Sequence, residues 1–515
     1  MSDEMTGMGR RDFLRGASGL GLAIAATPAI SRAASPVEVP LDITDLSASR
    51  LSDAIRQRQV SCVEVMQAYL ARIASLNGSY NAIVSMLDND ALLDEAKKAD
   101  VELDNGRYRG WLHGVPHAVK DLANAKGLKT SQGSRIFAGT VADSDTLFVS
   151  RIRQAGAIFI GKTNVPEFGL GSQSYNSVFG TTRNAYDTRL VAGGSSGGAA
   201  VGLATHMLPV ADGSDMMGSL RNPAGFNNVV GFRPSQGRVP LYPKTDGYYQ
   251  QLPVAGPMGR DAEDVIRMLG TMAGFDARDP LSRSDRIPSF EHFKPASLKG
   301  FKIGWMGNYD SYLATEAGVI DVCEDCLSGL DKSGVVVEPC SPRFEMGRLW
   351  QTWLTFRHWA LGSARELYDD PDLRKLLKPE MQWEIEGSFD QSAREIADAG
   401  VARTEWYRAL VELFGTYDVL ALPVAQVFPF DADVHWPKSV NGREMDTYHR
   451  WMEVVIGGTL AGLPVVCLPA GFSQDGKPMG IQFLGKPGAD QQVLEFALAY
   501  ERATDYLQVR PPSPL

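Results

Sequence analysis

The spacing of apolar positions changes several times along the chain, and each change marks an element. Val63, Met66, Tyr69, Leu70 and Ile73 recur at helical spacing. Ser61-Cys62-Val63-Glu64 at the head of that run has the form of a capping box, in which Ser61 takes an orphan N–H and Glu64 reaches back. An alternating run around Ala118 predicts a strand with Lys120 at its end. A short apolar run bounded by Gly156 and Gly161 predicts a buried strand. Residues 199–207 read as a helix, 208–211 as a short apolar strand, and Gly213-Ser214-Asp215 as a polar turn. Past about Asp276, strands at 301–305 and 335–337 flank a helix and predict a βαβ-like unit. Residues 346–414 are mainly helical in pattern, with Met346, Trp350, Trp353, Phe356 and Trp359 on one face, a stripe that reads as core. Strand patterns return at 419–424, 459–469 and 479–484, before a last helix at 491–502. Strands alternating with helices at this spacing indicate an α/β architecture.

Composition narrows the function classes. With 515 residues, 44% of them hydrophobic, there is material for a large core. A net charge of −10 argues against nucleic acid as a partner, and no apolar run is long enough to span a bilayer. Five irregularly spaced cysteines cannot all pair, so no disulfide framework is expected. Cys323 and Cys326 form a C-x-x-C, but they share one apolar stripe with Val319, Leu327 and Leu330, and core packing is the expectation.

The first residues read as an address. Arg10-Arg11-Asp12-Phe13-Leu14-Arg15 resembles a twin-arginine export signal, and a weakly apolar Ala/Gly-rich stretch follows it. Ser31-Arg32-Ala33 supplies a small-x-small cleavage site. The expected organisation is a signal peptide at 1–33 and one domain at 34–515, with a variable, mainly helical region at about 276–414. A periplasmic or secreted location follows.

The chemistry concentrates between Gly193 and Pro223, where Ser195 and Ser219 lie in Gly-rich turns. Backbone amides clustered beside a hydroxyl are what a nucleophile and its oxyanion site require, although such turns also serve as inert loops. Lys120 ends an apolar strand. It is either a surface terminus or a desolvated lysine with a lowered pKa that can act as a base. The residues alone leave these alternatives open.

Taken in order, several blocks resemble the amidase signature family. They are Gly114-Val115-Pro116 with Val119-Lys120-Asp121, Gly161-Lys162-Thr163-Asn164 with Pro166-Glu167-Phe168, and Gly193-Gly194-Ser195-Ser196-Gly197-Gly198. Gly213, Asp215, Gly218-Ser219, Arg221 and Pro223 follow, then Gly231, Pro234, Gly256-Pro257-Met258, Ala461-Gly462-Leu463-Pro464 and residues 476–482. The resemblance implies a single α/β domain whose mixed, mostly parallel sheet is covered by helices on both faces, with no metal and no organic cofactor. It further implies that Ser219 is the nucleophile, Ser195 a bridging serine after a cis peptide, and Lys120 the base. Amides of Met216, Met217 and Gly218, and of Ser219 itself, would hold an oxyanion. The implied activity is hydrolysis of a small-molecule amide, with a homodimer allowed, and the aromatic residues Tyr248, Tyr249, Trp350, Trp353 and Trp359 in and before the variable region point to an apolar or aryl amide. Met216-Met217 stands where the family usually has Thr-Gly, which makes Met217 the position to watch for acyl-pocket size and turn geometry.

Other readings compete. Gly193-Gly194-Ser195-Ser196-Gly197 also fits the elbow of a Ser-His-Asp esterase, which needs a strand before Ser195 and a placed histidine. An exported esterase or a peptide C-terminal amidase would share the Lys120–Ser195–Ser219 triad. A glutamine-hydrolysing component of a tRNA-dependent complex would conflict with an export leader. A non-catalytic binding protein of the same fold would have lost its chemistry at Met217.

Overall fold

Two sheets meet at Lys120 in the computed structural model, which describes residues 36–249 and 251–509. The export-signal expectation for residues 1–33 lies outside the described residues. The described chain from Val37 onward forms one compact unit. No helix among the described residues is long and apolar enough to cross a membrane.

The smaller sheet consists of β1 (Ile83–Val84), β2 (Pro116–Lys120) and β3 (Ile158–Thr163) in the order β1-β3-β2. β2 and β3 are parallel, with Lys120 opposite Thr163. The Leu147–Gln154 helix lies in the crossover that such pairing requires. The larger sheet has eight strands: β4 (Val210–Asp215), β5 (Val230–Arg233), β6 (Val254–Gly259), β7 (Lys302–Trp305), β8 (Val336–Pro339), β9 (Val419–Pro423), β10 (Val465–Phe472) and β11 (Pro478–Gly485). Their order is β8-β7-β9-β11-β10-β5-β6-β4.

This sheet is mixed, as expected, with its parallel pairs at the β8-β7-β9 edge. The five other junctions are antiparallel, so parallel pairing carries less of the sheet than the resemblance implies. The reason is topological. β4 and β5, linked through the Asn222–Phe226 helix, run the same way, but β6 inserts between them antiparallel to both. β10 and β11 are joined by a short turn at 473–477, which allows only antiparallel pairing.

Alternate strand residues feed different apolar clusters, which puts helices on both faces. Val466, Leu468, Ile481 and Phe483 join one cluster with Cys323 and Cys326 of the Val319–Gly329 helix and Phe496 of the Asp490–Ala503 helix. Both cysteines are buried there as free thiols, as the stripe predicts. Leu420, Leu422, Val465 and Leu484 join the other, with Trp350 and Trp353 of the Met346–Leu361 helix and Trp406 of the Ala393–Leu413 helix. Trp350 and Trp353 are thus core, again as expected. The capping box forms, with Ser61 Oγ accepting from the Glu64 N–H and Glu64 accepting from Ser61.

Two local expectations are corrected: the strand expected at 459–469 begins only at Val465, because Thr459 and Leu460 belong to the Ile456–Leu460 helix. The apolar strand expected at 208–211 starts later and runs through the supposed polar turn, ending at Asp215. Polar side chains can occupy a buried strand when each finds a partner, and those of Asp212, Ser214 and Asp215 all do.

Candidate active site

Lys120 ends β2 inside the protein, with 1% of its surface exposed, which removes the surface-terminus alternative. Its Nζ lies 2.9 Å from Ser195 Oγ, 2.7 Å from Ser196 Oγ and 3.0 Å from Ser214 Oγ, and donates to the Ser214 carbonyl at 3.3 Å. No carboxylate lies within ion-pair distance of Nζ among the described residues. A neutral amine has two N–H donors and one lone pair. This shell of one carbonyl and three hydroxyls can satisfy all of them. Burial pushes the ammonium down to about 7, against the pull of Asp212 and Asp215, which favour the charged form.

The Gly-rich segment is held from three sides. Gly193 has φ +73°, and a Cβ there would meet Asn222 Oδ1 at 2.6 Å and Pro223 Cα at 2.9 Å, so no larger residue fits. Ser174 Oγ donates to the Gly193 carbonyl and accepts from the Gly197 N–H. The Gly194 N–H donates to Asn222 Oδ1, and the Gly194–Ser195 peptide is cis, as the resemblance implies. Residues 192–196 are not a strand, and a lysine rather than a histidine meets Ser195. Neither requirement of the esterase elbow is met.

Ser219 follows β4 at the far end of the segment, 6% exposed, between Gly218 and the Asn222–Phe226 helix. Its hydroxyl has no hydrogen-bond partner among the described residues, and the Ser195–Ser219 contact is not closed here. Asp215 builds the turn that presents it. The carboxylate accepts from the N–H groups of Gly218 (3.0 Å) and Leu220 (3.2 Å) and from Arg221 Nε (2.9 Å) and Nη2 (3.0 Å). Burial alone would raise this carboxyl, but Arg221 and Arg233 hold it well below the usual range. Arg221 also reaches the Val455 carbonyl, Thr459 Oγ1 and Gln482 Oε1, tying the turn to residues 455–459 and to β11.

The amides singled out by the resemblance divide into two kinds. The Gly218 N–H is committed to Asp215. Those of Met216, Met217 and Ser219 have no protein acceptor among the described residues and remain available to a ligand oxygen. The positive φ of the turn falls on Gly218 (+77°), not on Met217, so the methionine sits there without left-handed strain. Its side chain is buried in the apolar cluster with Leu252 and Val455.

Sequence reasoning assigns no role at the site to several neighbours. Ser214 touches Lys120 yet reads as a turn residue. Asp212 and His117 form a buried pair behind the lysine. Lys162, a second buried lysine, donates to the Ala123 carbonyl and is pushed by burial down to about 8, with Asp121 pulling the other way. Arg357, on the Met346–Leu361 helix, aims Nη1 at Met216 Sδ from 2.8 Å. A buried charge in a strand of apolar spacing is the one available signal, and it picks out Lys162 and Asp212 equally.

Comparison with known proteins agrees with this geometry. The Amidase family model matches residues 64–494. One component of the glutamyl-tRNA(Gln) amidotransferase of Symbiobacterium thermophilum is 34% identical over 490 residues, covering 90% of this chain and 98% of the relative. A bacterial aryl acylamidase of the amidase signature family superposes with a TM-score of 0.85 at 26% identity, covering 91% of this chain and 99% of its own. A peptide amidase in complex with chymostatin superposes with a TM-score of 0.74 at 26% identity, covering 91% and 99%. Over its matched length, this chain belongs to the amidase signature family of amide-hydrolysing enzymes.

Proposed function

We propose that the protein hydrolyses an apolar or aryl amide to an acid and ammonia or an amine, through an acyl-enzyme on Ser219. The carrying observation is the buried Lys120 amine, hydrogen bonded only to hydroxyls and a carbonyl. Neutral Lys120 takes the proton of Ser195, and Ser195 takes that of Ser219 as its oxygen attacks the carbonyl carbon. The open amides of Met216, Met217 and Ser219 receive the charge that develops on the carbonyl oxygen. Lys120 then returns the proton through Ser195 to the leaving nitrogen as the C–N bond breaks, and water repeats the sequence on the ester. The Ser195–Ser219 leg closes when substrate binds, since catalytic hydrogen bonds tighten in the reacting complex.

The aryl acylamidase superposition supports the substrate class, as does the apolar cluster around Met217. The twin-arginine-like leader supports export to the periplasm. The amidotransferase relatives favour a second reading, glutamine hydrolysis within a multi-protein complex. Stable partner proteins on purification, with glutamine as the preferred amide, would establish that alternative.

The test is a panel of aliphatic, aryl, peptide and glutamine amides assayed for ammonia or amine release. Aryl and apolar amides should turn over fastest, and equal rates across the panel would sink the substrate class. Ser219→Ala and Lys120→Ala should each lose activity by about 10³-fold or more. For the wild type, kcat/KM should rise with pH through about 7 to an alkaline plateau, because the reactive form is the unprotonated lysine.

A further inference from the structure

Behind Lys120 lies a buried carboxylate that the proton relay does not use. Asp212, on β4, is 0% exposed. Its Oδ1 accepts from His117 Nε2 at 2.9 Å, and its two oxygens accept from the Lys120 backbone N–H at 3.3 and 3.2 Å. His117 is itself on β2 and fully buried, and its Nδ1 has no partner among the described residues. The pair bridges the two sheets at the strand end that carries the lysine. Two apolar side chains would join the sheets without the cost of desolvating a carboxylate, so adhesion alone does not explain the choice.

The charges around this corner separate Asp212 from its neighbours. Asp215, also on β4, is paired with Arg221 and Arg233. Asp121, next to Lys120, accepts from Ser131 and the Gly133 N–H and faces Lys162 on β3. Asp212 is held by the His117 ring N–H and the Lys120 amide N–H, with no lysine or arginine at ion-pair distance among the described residues and Lys162 farther off. Neither Asp121 nor Asp212 has a lysine or arginine in ion-pair contact among the described residues, but only Asp212 accepts a hydrogen bond from Lys120 itself, through the backbone N–H at the end of β2.

We infer that Asp212, oriented by His117, is a positioning residue for the Lys120 base: it fixes the end of β2 against β4 and supplies the negative charge against which the lysine takes up and releases its proton. This rests on the assignment of Lys120 as base made above. Burial alone would leave the amine neutral over most of the pH range and too weak a proton acceptor. A nearby carboxylate that does not touch the amine favours its charged form without a salt bridge that would lock the ammonium.

The measurement is the pH dependence of Ser219 labelling by a fluorophosphonate, alongside kcat/KM for p-nitroacetanilide. Asp212→Asn should move the acid limb of both profiles down by about one pH unit, as expected for removing a nearby opposite charge, with a lower plateau. His117→Leu removes the carboxylate's donor and should move the limb upward, and His117→Gln, which keeps an N–H, should bring it back towards wild type. A folded Asp212→Asn whose limb stays in place while the plateau falls would reduce the pair to an inter-sheet clamp and overturn the inference. Should Asp212→Asn fail to fold, an unmoved limb in His117→Leu overturns it equally. If Lys120→Ala labels at the wild-type rate, the base assignment itself has failed. If Lys120→Ala is inert and the limbs do not move, only the role of Asp212 has failed.

Discussion

Among single residues, those of the Ser219 turn show how one side chain can depart from its family without damaging the geometry. Met217 carries a bulky group where glycine is usual, yet the left-handed backbone falls on Gly218, so the methionine costs no strain. It fills the apolar cluster beside Leu252 and Val455 instead. Met217→Ala should therefore cost about 2–5 kcal/mol in a urea melt, the usual range for emptying a buried methionine site. In an acyl-length series of anilides, the same variant should shift the kcat/KM preference towards larger acyl groups. A folded variant with unchanged acyl preference would remove Met217 from the acyl pocket.

Between elements, the helical region is held to the site by ionic contact as well as by its tryptophans. Arg357 of the Met346–Leu361 helix donates to Glu384 Oε1 at 2.8 Å and to Tyr448 Oη at 3.0 Å, while Nη1 faces Met216 in the Ser219 turn. Glu384, on the Pro379–Glu386 helix, is fully buried. Burial pushes its carboxyl up, but Arg357 outweighs that and brings it to about 2. Removing one partner of such a pair is worse than removing both. Arg357→Ala should cost about 3–5 kcal/mol by leaving the buried Glu384 without its arginine, with only the Tyr448 hydroxyl and His358 beside it, and Arg357→Met with Glu384→Leu should recover most of the loss. Equal destabilisation in the single and double variants would show that the pair is not the cause.

Across the whole molecule, three acids from distant parts of the chain converge. Asp264 accepts from the N–H groups of Ala48 and Ser49 at the start of the Ala48–Arg56 helix, and Glu501, in the last helix, accepts from Ala262. Asp261 caps the Ala262–Met272 helix between them. Burial and the neighbouring acids raise the carboxyls of Asp261 and Glu501, and burial raises that of Asp264 despite Arg260. Their folded values lie above the unfolded ones, so the folded state binds more protons between the two. Their contribution is most favourable below the ordinary carboxylate range and is lost as pH rises through the raised values. Asp261→Asn keeps the capping oxygen and removes one charge. It should raise the Tm at pH 8 and leave it nearly unchanged at pH 4. A Tm gain of equal size at both pH values would exclude the electrostatic cause.

The division between sequence and structure follows from the range of the forces involved. Helix caps, the cysteine stripe, the buried tryptophan face and the positions of Lys120, Ser195 and Ser219 are legible because each depends on neighbours within a few residues, or on a block whose order the chain preserves. The polar stretch after Val210 does not read as a strand because its partners, His117, Lys120 and Arg233, come from other strands, and pairing at a distance is what allows Asp212 and Ser214 inside a sheet. The insertion of β6 between β4 and β5 is equally out of reach, since strand order depends on long-range register. The order of residues suffices to say which groups are present and that their spacing makes an amidase signature chain. Three things emerge only once the strands are assembled: Lys120 is buried among hydroxyls, the Gly218 amide is occupied while its neighbours stay open, and Asp212 stands behind Lys120. Those are facts of desolvation and of contacts across many residues, and no local pattern encodes them.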